Sequence, residues 1–173
     1  MRRFSIFILF LAVSALPLGS GFAAKAKKSP ADAPFETLKS LQGTWKGQIE
    51  MDGKKEEATL VYKVTSGGTA LEETIFAGSP KEMVSVYFQD KDRVMMTHYC
   101  ALGNQPRMQV TESAKGKIRF EMVDATGMKT PQDPHMGGLT LTLKDKDRFE
   151  QAWVHYNPDG TSNTSVFAWE RVK

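Results

Sequence analysis

The chain has 173 residues, with 23 Lys and Arg against 20 Asp and Glu and a hydrophobic fraction of 40%. This length suits one domain with a real core, and the near balance of charge argues against nucleic acid, whose phosphates need a concentrated basic face. The single cysteine, Cys100, excludes an intrachain disulfide, so stability must come from packing.

The N-terminus has the pattern of an exported protein. Arg2 and Arg3 precede an apolar run over residues 4–18, and small residues follow up to Ala23. This predicts a secretory signal peptide over residues 1–23 and a secreted or periplasmic location. The run is interrupted and shorter than the roughly 20 apolar residues of a membrane helix, so we expect no membrane span.

A basic segment and a short helix follow the predicted cleavage site. Residues 24–34 are rich in Ala, Lys and Pro and predict a disordered leader. Phe35, Leu38 and Leu41 then have the spacing of one helix face, and Gly43 ends the pattern. We expect a short helix that plugs one end of the domain.

Beyond this helix, apolar and polar residues alternate at period two between turn residues such as Asp52-Gly53. Ten strands are predicted, over residues 44–51, 56–64, 70–76, 83–89, 93–99, 107–113, 117–123, 139–143, 149–156 and 164–172. Successive hairpins without a helical crossover indicate an antiparallel up-and-down sheet. About ten such strands are best closed into a barrel, so residues 35–173 predict one all-β barrel domain.

Two predicted connections are long. Residues 100–106 form one, and residues 124–138, with two prolines and three glycines, form the other. Long loops in a compact domain are often functional. The second connection can act as a lid over one mouth of the barrel or run over the surface without a role.

Residues 41–47, Leu-Gln-Gly-Thr-Trp-Lys-Gly, place Gly-x-Trp at the start of the first strand. Together with Gly67-Gly68, the Leu71-Glu72-Glu73 stretch and a closing strand that reaches Trp169-Glu170, this layout resembles secreted bacterial lipocalin-like domains of unknown function in the calycin superfamily. The resemblance implies a cavity for a small apolar or amphipathic ligand. It also implies that Trp45 plugs the closed end of the barrel.

Polar and titratable side chains are densest between Thr97 and Met108. Alternation places His98 on the same strand face as Val94 and Met96. His98 is then either a hydrogen-bonded core residue or part of the wall of a ligand pocket, since imidazole both donates and accepts.

Arg107 begins the next predicted strand and, if buried, needs an anionic partner. Glu72, Glu73 and Glu121 are candidates within the protein, and a ligand carboxylate is the functional alternative. Asn104, in the preceding loop, either satisfies loop backbone groups or binds ligand.

The ninth predicted strand carries an aromatic stripe with a polar tip. Phe149, Gln151, Trp153 and His155 share one face of it. In a barrel, the core and the ligand cavity have the same lining, so this stripe fits either role.

No catalytic motif or metal-ligand spacing is present, so the sequence predicts no catalytic residues, metal or cofactor. The predicted function is binding of a small hydrophobic or amphipathic molecule. The predicted ligand-binding residues are His98, Tyr99, Asn104, Arg107, Trp153 and His155. The alternatives are a cavity enzyme that uses His98 with a nearby carboxylate, a haem protein with His98 or His155 as axial ligand, and a filled structural barrel. The oligomeric state stays open.

Overall fold

The computed structural model describes residues 32–51 and 54–173. The predicted signal peptide, residues 24–31 of the predicted leader and the expected turn at residues 52–53 lie outside the described residues. Within the described ranges, no helix has the length and apolar character needed to cross a membrane.

Ten strands close into one antiparallel barrel, as the alternation predicts, and within the described residues one α-helix precedes them. The helix α1 is Asp32–Lys39, and a short 3₁₀ turn lies at Ser66–Gly68. The strands are β1 Gly43–Met51, β2 Lys54–Thr65, β3 Ala70–Ile75, β4 Met83–Asp90, β5 Arg93–Tyr99, β6 Gln105–Ala114, β7 Lys117–Thr126, β8 His135–Leu143, β9 Arg148–Tyr156 and β10 Ser162–Arg171. Each strand pairs with its neighbours in sequence, and β10 closes the barrel against β1.

The elements differ from the predicted ones mainly at their ends. The strand β8 begins at His135, four residues before the predicted start. A bulge between Met136 and Gly138 interrupts the alternation there, so the sequence pattern does not indicate a strand. Because β6 begins at Gln105, β7 ends at Thr126 and β8 begins at His135, the two long connections cover only residues 100–104 and 127–134. The helix α1 also begins earlier than expected, so residues 32–34 are helical, since proline is tolerated in a first helical turn.

The helix α1 closes one end of the barrel. Phe35, Leu38 and Leu41 are buried in the same core as Trp45 of β1. The Trp45 indole Nε1 donates a hydrogen bond of 2.8 Å to the Leu41 carbonyl. The Gly-x-Trp segment thus joins the helix to the first strand through one buried aromatic ring.

Arg171, at the end of β10, fastens the last strand to the same end. Its guanidinium carbon lies 4.1 Å from the centre of the Trp45 ring. Its two terminal nitrogens donate to the carbonyls of Gln42 and Ser40, at 2.7 and 3.0 Å. These carbonyls belong to the turn between α1 and β1, so Arg171 joins the end of β10 to that turn.

The seam between β1 and β10 is short. Among the described residues, these strands pair only at Trp45 with Arg171 and at Lys46 with Glu170. The rest of β10 pairs with β9 alone, and Val166 is 61% exposed. The barrel is therefore firmly closed at the helix end and weakly closed along β10 toward the opposite end, which we call the open end.

Gly47 permits the closest approach across this seam. A Cβ atom at Gly47 would lie 2.4 Å from the Ala168 carbonyl oxygen and 2.9 Å from the Trp169 ring. Gly47→Ala is expected to lower the free energy of unfolding by about 1–3 kcal/mol, the usual cost of overpacking. Urea denaturation measures this change.

Gly138→Ala is the matched control for Gly47→Ala, because both glycines lie within strands. A Cβ at Gly138 would meet its nearest atom, the Phe120 carbonyl oxygen, at 3.3 Å, so this neighbour needs to shift by no more than a few tenths of an ångström. We expect this variant to lose less than about 1 kcal/mol. Equal losses in the two variants would show that the β1–β10 seam is not closely packed at Gly47.

Candidate functional site

A hydrogen-bonded polar network lies at the centre of the barrel. The Glu73 Oε2 atom accepts from the Tyr62 hydroxyl at 2.5 Å, the Tyr87 hydroxyl at 2.6 Å and the Gln151 Nε2 at 3.0 Å. Trp169 Nε1 in turn donates to the Gln151 Oε1 at 3.0 Å. All five side chains are buried, so the network joins β2, β3, β4, β9 and β10 in the interior.

The donors of this network keep their protons. Burial and the adjacent Glu73 raise the pKa values of Tyr62 and Tyr87 well above that of free tyrosine. Burial also raises the pKa of Glu73, whereas hydrogen bonds from Tyr62, Tyr87, Gln151 and Ser85 lower it. Both tyrosines therefore remain hydrogen-bond donors to one buried carboxyl group.

His98 connects this network to the open end. It is 1% exposed, and its Nδ1 lies 3.0 Å from the Ser85 Oγ, whose hydroxyl also interacts with Glu73. Burial lowers the pKa of His98 to about 4, so the imidazole is neutral near pH 7. The second ring nitrogen, Nε2, is buried and has no hydrogen-bond partner.

A cavity of about 80 Å³ lies beside His98. Its lining consists of Ile75, Phe76, Met83, His98, Met136, Trp153, Ser165 and Phe167. Trp153 is 2% exposed and its ring centre is 4.8 Å from that of His98. The Trp153 Nε1 is also buried without a partner. An apolar wall thus holds two ring nitrogens whose hydrogen-bonding capacity is unused.

Two phenylalanines and the open part of the seam border this cavity. Phe76 follows β3 with a positive φ of 58°, a conformation that bulky residues rarely adopt. Its ring packs edge-on against Phe167 of β10, with 5.6 Å between the ring centres. Ser165, also on β10, is exposed although it lines the cavity. The cavity therefore lies next to solvent on the β10 side.

Of the six predicted site residues, the structure brings His98 and Trp153 together at this cavity and places two others on the outer surface. Tyr99 is 52% exposed. Arg107 is exposed because the buried residues on either side of it, Pro106 and Met108, face inward. Its guanidinium makes a two-pronged ion pair with Asp124, with 2.6 Å between Nε and Oδ1. The anionic partner of Arg107 is therefore Asp124 and none of the three glutamates considered from the sequence.

Asn104 and His155 lie at the open end without lining the cavity. Asn104 is buried, and its Nδ2 donates to the Pro134 carbonyl at 2.8 Å, which links the 100–104 and 127–134 connections. His155 is half-buried near the end of β9, with its Nδ1 3.3 Å from the Asn163 Oδ1. Both residues therefore lie outside the cavity wall that His98 and Trp153 form.

The sequence-based site leaves out Ser85, Tyr62, Tyr87 and Gln151 as partners of His98 and Glu73. The sequence does indicate that Glu73 faces the interior, because it alternates with Leu71 and Ile75 on one strand face. Its partners lie on other strands, and their convergence depends on the pairing register of the barrel. Period-two alternation alone does not supply that register.

A larger groove of about 720 Å³ lies on the outer face of β7, β8 and β9. Its polar rim includes an exposed ion pair of 2.9 Å between Arg119 and Glu121. The unpartnered buried atoms found in the described chain belong to Glu73, His98, Asn104 and Trp153, and none of these residues lines the groove. The smaller inner cavity therefore has the stronger chemical signature of a ligand site.

Within residues 32–51 and 54–173, no group of three or more His, Cys, Asp or Glu side chains has the arrangement of a metal site. The half-buried Cys100 is a weak nucleophile, because burial raises the pKa of its thiol and lowers its thiolate fraction.

No protein-family model and no curated protein matches this sequence. The structure is similar to a DUF3598-family protein of unknown function from Nostoc punctiforme PCC 73102, with a TM-score of 0.54 and 18% identity over 78% of this chain and 48% of that one. It is also similar to Rv2717c from M. tuberculosis, with a TM-score of 0.55 and 14% identity over 83% and 99% of the two chains. This chain spans about half the length of the Nostoc protein. At these identities, the likeness concerns the barrel fold alone.

Proposed function

We propose that this chain is an exported calycin-type barrel that binds a small, mostly apolar molecule in the cavity beside His98. The two unpartnered nitrogens in the apolar cavity wall carry the proposal. Buried polar atoms nearly always have partners, and leaving one unpaired costs about 1–3 kcal/mol. A ligand that pairs with His98 and Trp153 recovers this free energy, which favours binding in the cavity.

The size of the cavity limits the ligand. Sites for drug-sized molecules measure roughly 300–1,000 Å³, against about 80 Å³ here. This volume is too small for a haem beside His98. We therefore propose that the ligand in this cavity has only a few non-hydrogen atoms.

A cavity enzyme is the second candidate, because Ser85 connects His98 to the Glu73 carboxyl group. A general base works best when its pKa lies near the working pH. With a pKa of about 4, His98 is a weak base at neutral pH. This favours binding over proton transfer.

Ser165→Leu tests the site, because a leucine at this position fills the exposed border of the cavity. Thr164→Leu is the matched control, since Thr164 is the preceding β10 residue and lines the outer groove. We expect 1-butanol to bind the unaltered protein with a Kd of roughly 1 mM, about −4 kcal/mol, and to bind Thr164→Leu equally. Ser165→Leu should weaken binding at least about tenfold.

Titration with 1-butanol, followed by ¹⁵N–¹H NMR spectra, measures these affinities. The Trp153 indole signal, assigned by its loss in Trp153→Phe, should shift in the unaltered protein. Loss of binding in Thr164→Leu but not in Ser165→Leu would place the ligand in the outer groove. Absence of any shift would contradict a ligand-binding cavity.

A further inference from the structure

The hydrogen-bonding character of the cavity depends on one proton, that of the Ser85 hydroxyl. Trp153 Nε1 can only donate, whereas His98 Nε2 donates or accepts according to the tautomer. Ser85 lies between the His98 Nδ1, at 3.0 Å, and Glu73. In the tautomer that this inference assigns, the His98 Nδ1–H donates to the Ser85 Oγ. His98 Nε2 then carries no proton and faces its surroundings as an acceptor.

We infer that the cavity selects a small neutral alcohol, whose hydroxyl oxygen accepts from Trp153 Nε1–H and donates its proton to His98 Nε2. This inference rests on the proposed function and names its ligand class. The ring centres of His98 and Trp153 are 4.8 Å apart. Two hydrogen bonds of about 2.9 Å allow one oxygen to join nitrogens up to about 5.8 Å apart. In the proposed arrangement, one hydroxyl group pairs with both unpartnered atoms.

The lining excludes charged ligands of the same size. It contains apolar and aromatic side chains with Ser165 and a neutral His98, and it includes no Lys, Arg, Asp or Glu. A carboxylate or an ammonium group would be buried there without a counter-charge, which is strongly unfavourable. The remaining carbon atoms of an alcohol contact Met83, Met136 and Phe167.

Four probes matched in size separate these possibilities: 1-butanol, diethyl ether, butyrate and butylammonium. The ether accepts from Trp153 but leaves His98 unpaired. We expect 1-butanol to bind about tenfold more tightly than the ether, from one additional buried hydrogen bond, and we expect butyrate and butylammonium to produce no shift at the same concentrations. The readouts in the unaltered protein are the Trp153 indole signal and the ¹⁵N shift of His98 Nε2.

His98→Leu and Trp153→Phe separate the two contacts. His98→Leu should abolish the preference for 1-butanol over the ether, whereas Trp153→Phe should weaken both probes and keep the preference. Equal affinity of 1-butanol and the ether for the unaltered protein would overturn the inference and leave the binding function standing. Tighter binding of butyrate would also overturn it. Failure of all four probes would overturn the proposed function itself. The wild-type comparison decides the question even if His98→Leu does not fold.

Discussion

Glu73→Ala should lower the free energy of unfolding by at least about 3 kcal/mol. The substitution removes the acceptor of three buried donors, on Tyr62, Tyr87 and Gln151. Each buried donor left unpaired costs about 1–3 kcal/mol, and the space left by the side chain adds to the loss. Chemical denaturation, followed by tryptophan fluorescence, measures the change.

Glu72→Ala is the matched control for Glu73→Ala. Glu72 is the adjacent residue on β3 and is half-buried on the outward face of the strand. We expect its loss to cost less than about 1 kcal/mol. Similar losses for the two variants would mean that the central carboxyl group does not organise the barrel interior.

The second large expected effect is a loss of folding stability at acidic pH. The pKa of His98 is about 4 in the folded barrel, against 6.5 for a histidine exposed to water in the unfolded chain. Between these values the unfolded chain binds more protons, so the stability present above pH 6.5 is lost as the pH falls toward 4. At about 1.36 kcal/mol for each pKa unit, the loss attributable to His98 is about 3 kcal/mol.

His98→Leu isolates this contribution, because other acidic groups titrate in the same range in both proteins. The free energy of unfolding of the unaltered protein, relative to that of His98→Leu, should fall by about 3 kcal/mol from about pH 7 to about pH 4. His155→Leu, which replaces a half-buried histidine outside the cavity, is the control variant. A difference that does not change with pH would show that His98 is not held neutral by burial.

The strand pattern was readable from the sequence because ten segments repeat the same period. Polar and apolar residues alternate in each, and short turns leave few alternatives to an antiparallel barrel. The alternation failed where backbone geometry departs from it. The bulge at Met136 and Gly138 breaks the alternation, so the first residues of β8 were not predicted as strand. Residues 32–34 were predicted as part of the leader from their composition, but Pro34 is compatible with the first turn of α1.

The candidate site was only partly readable for a related reason. Alternation correctly oriented His98 and Trp153, whose strands are regular where they lie. Arg107 follows a connection, where no pattern indicates which face comes next, and its partner Asp124 is set by the pairing of β6 with β7. The partners of Glu73 likewise depend on how several strands align.

The short seam between β1 and β10 has a consequence for how the barrel opens. Hydrogen exchange reports the free energies of local opening, and these are lowest where few backbone bonds must break. Only two residue pairs join these strands at the helix end, whereas β10 aligns with β9 along nine. Near Ser165, β10 has no paired residue on β1, so displacement of β10 there breaks no backbone bond between these strands and is the least costly motion that exposes the cavity. Exchange of a small molecule with solvent then requires no unfolding of the rest of the wall.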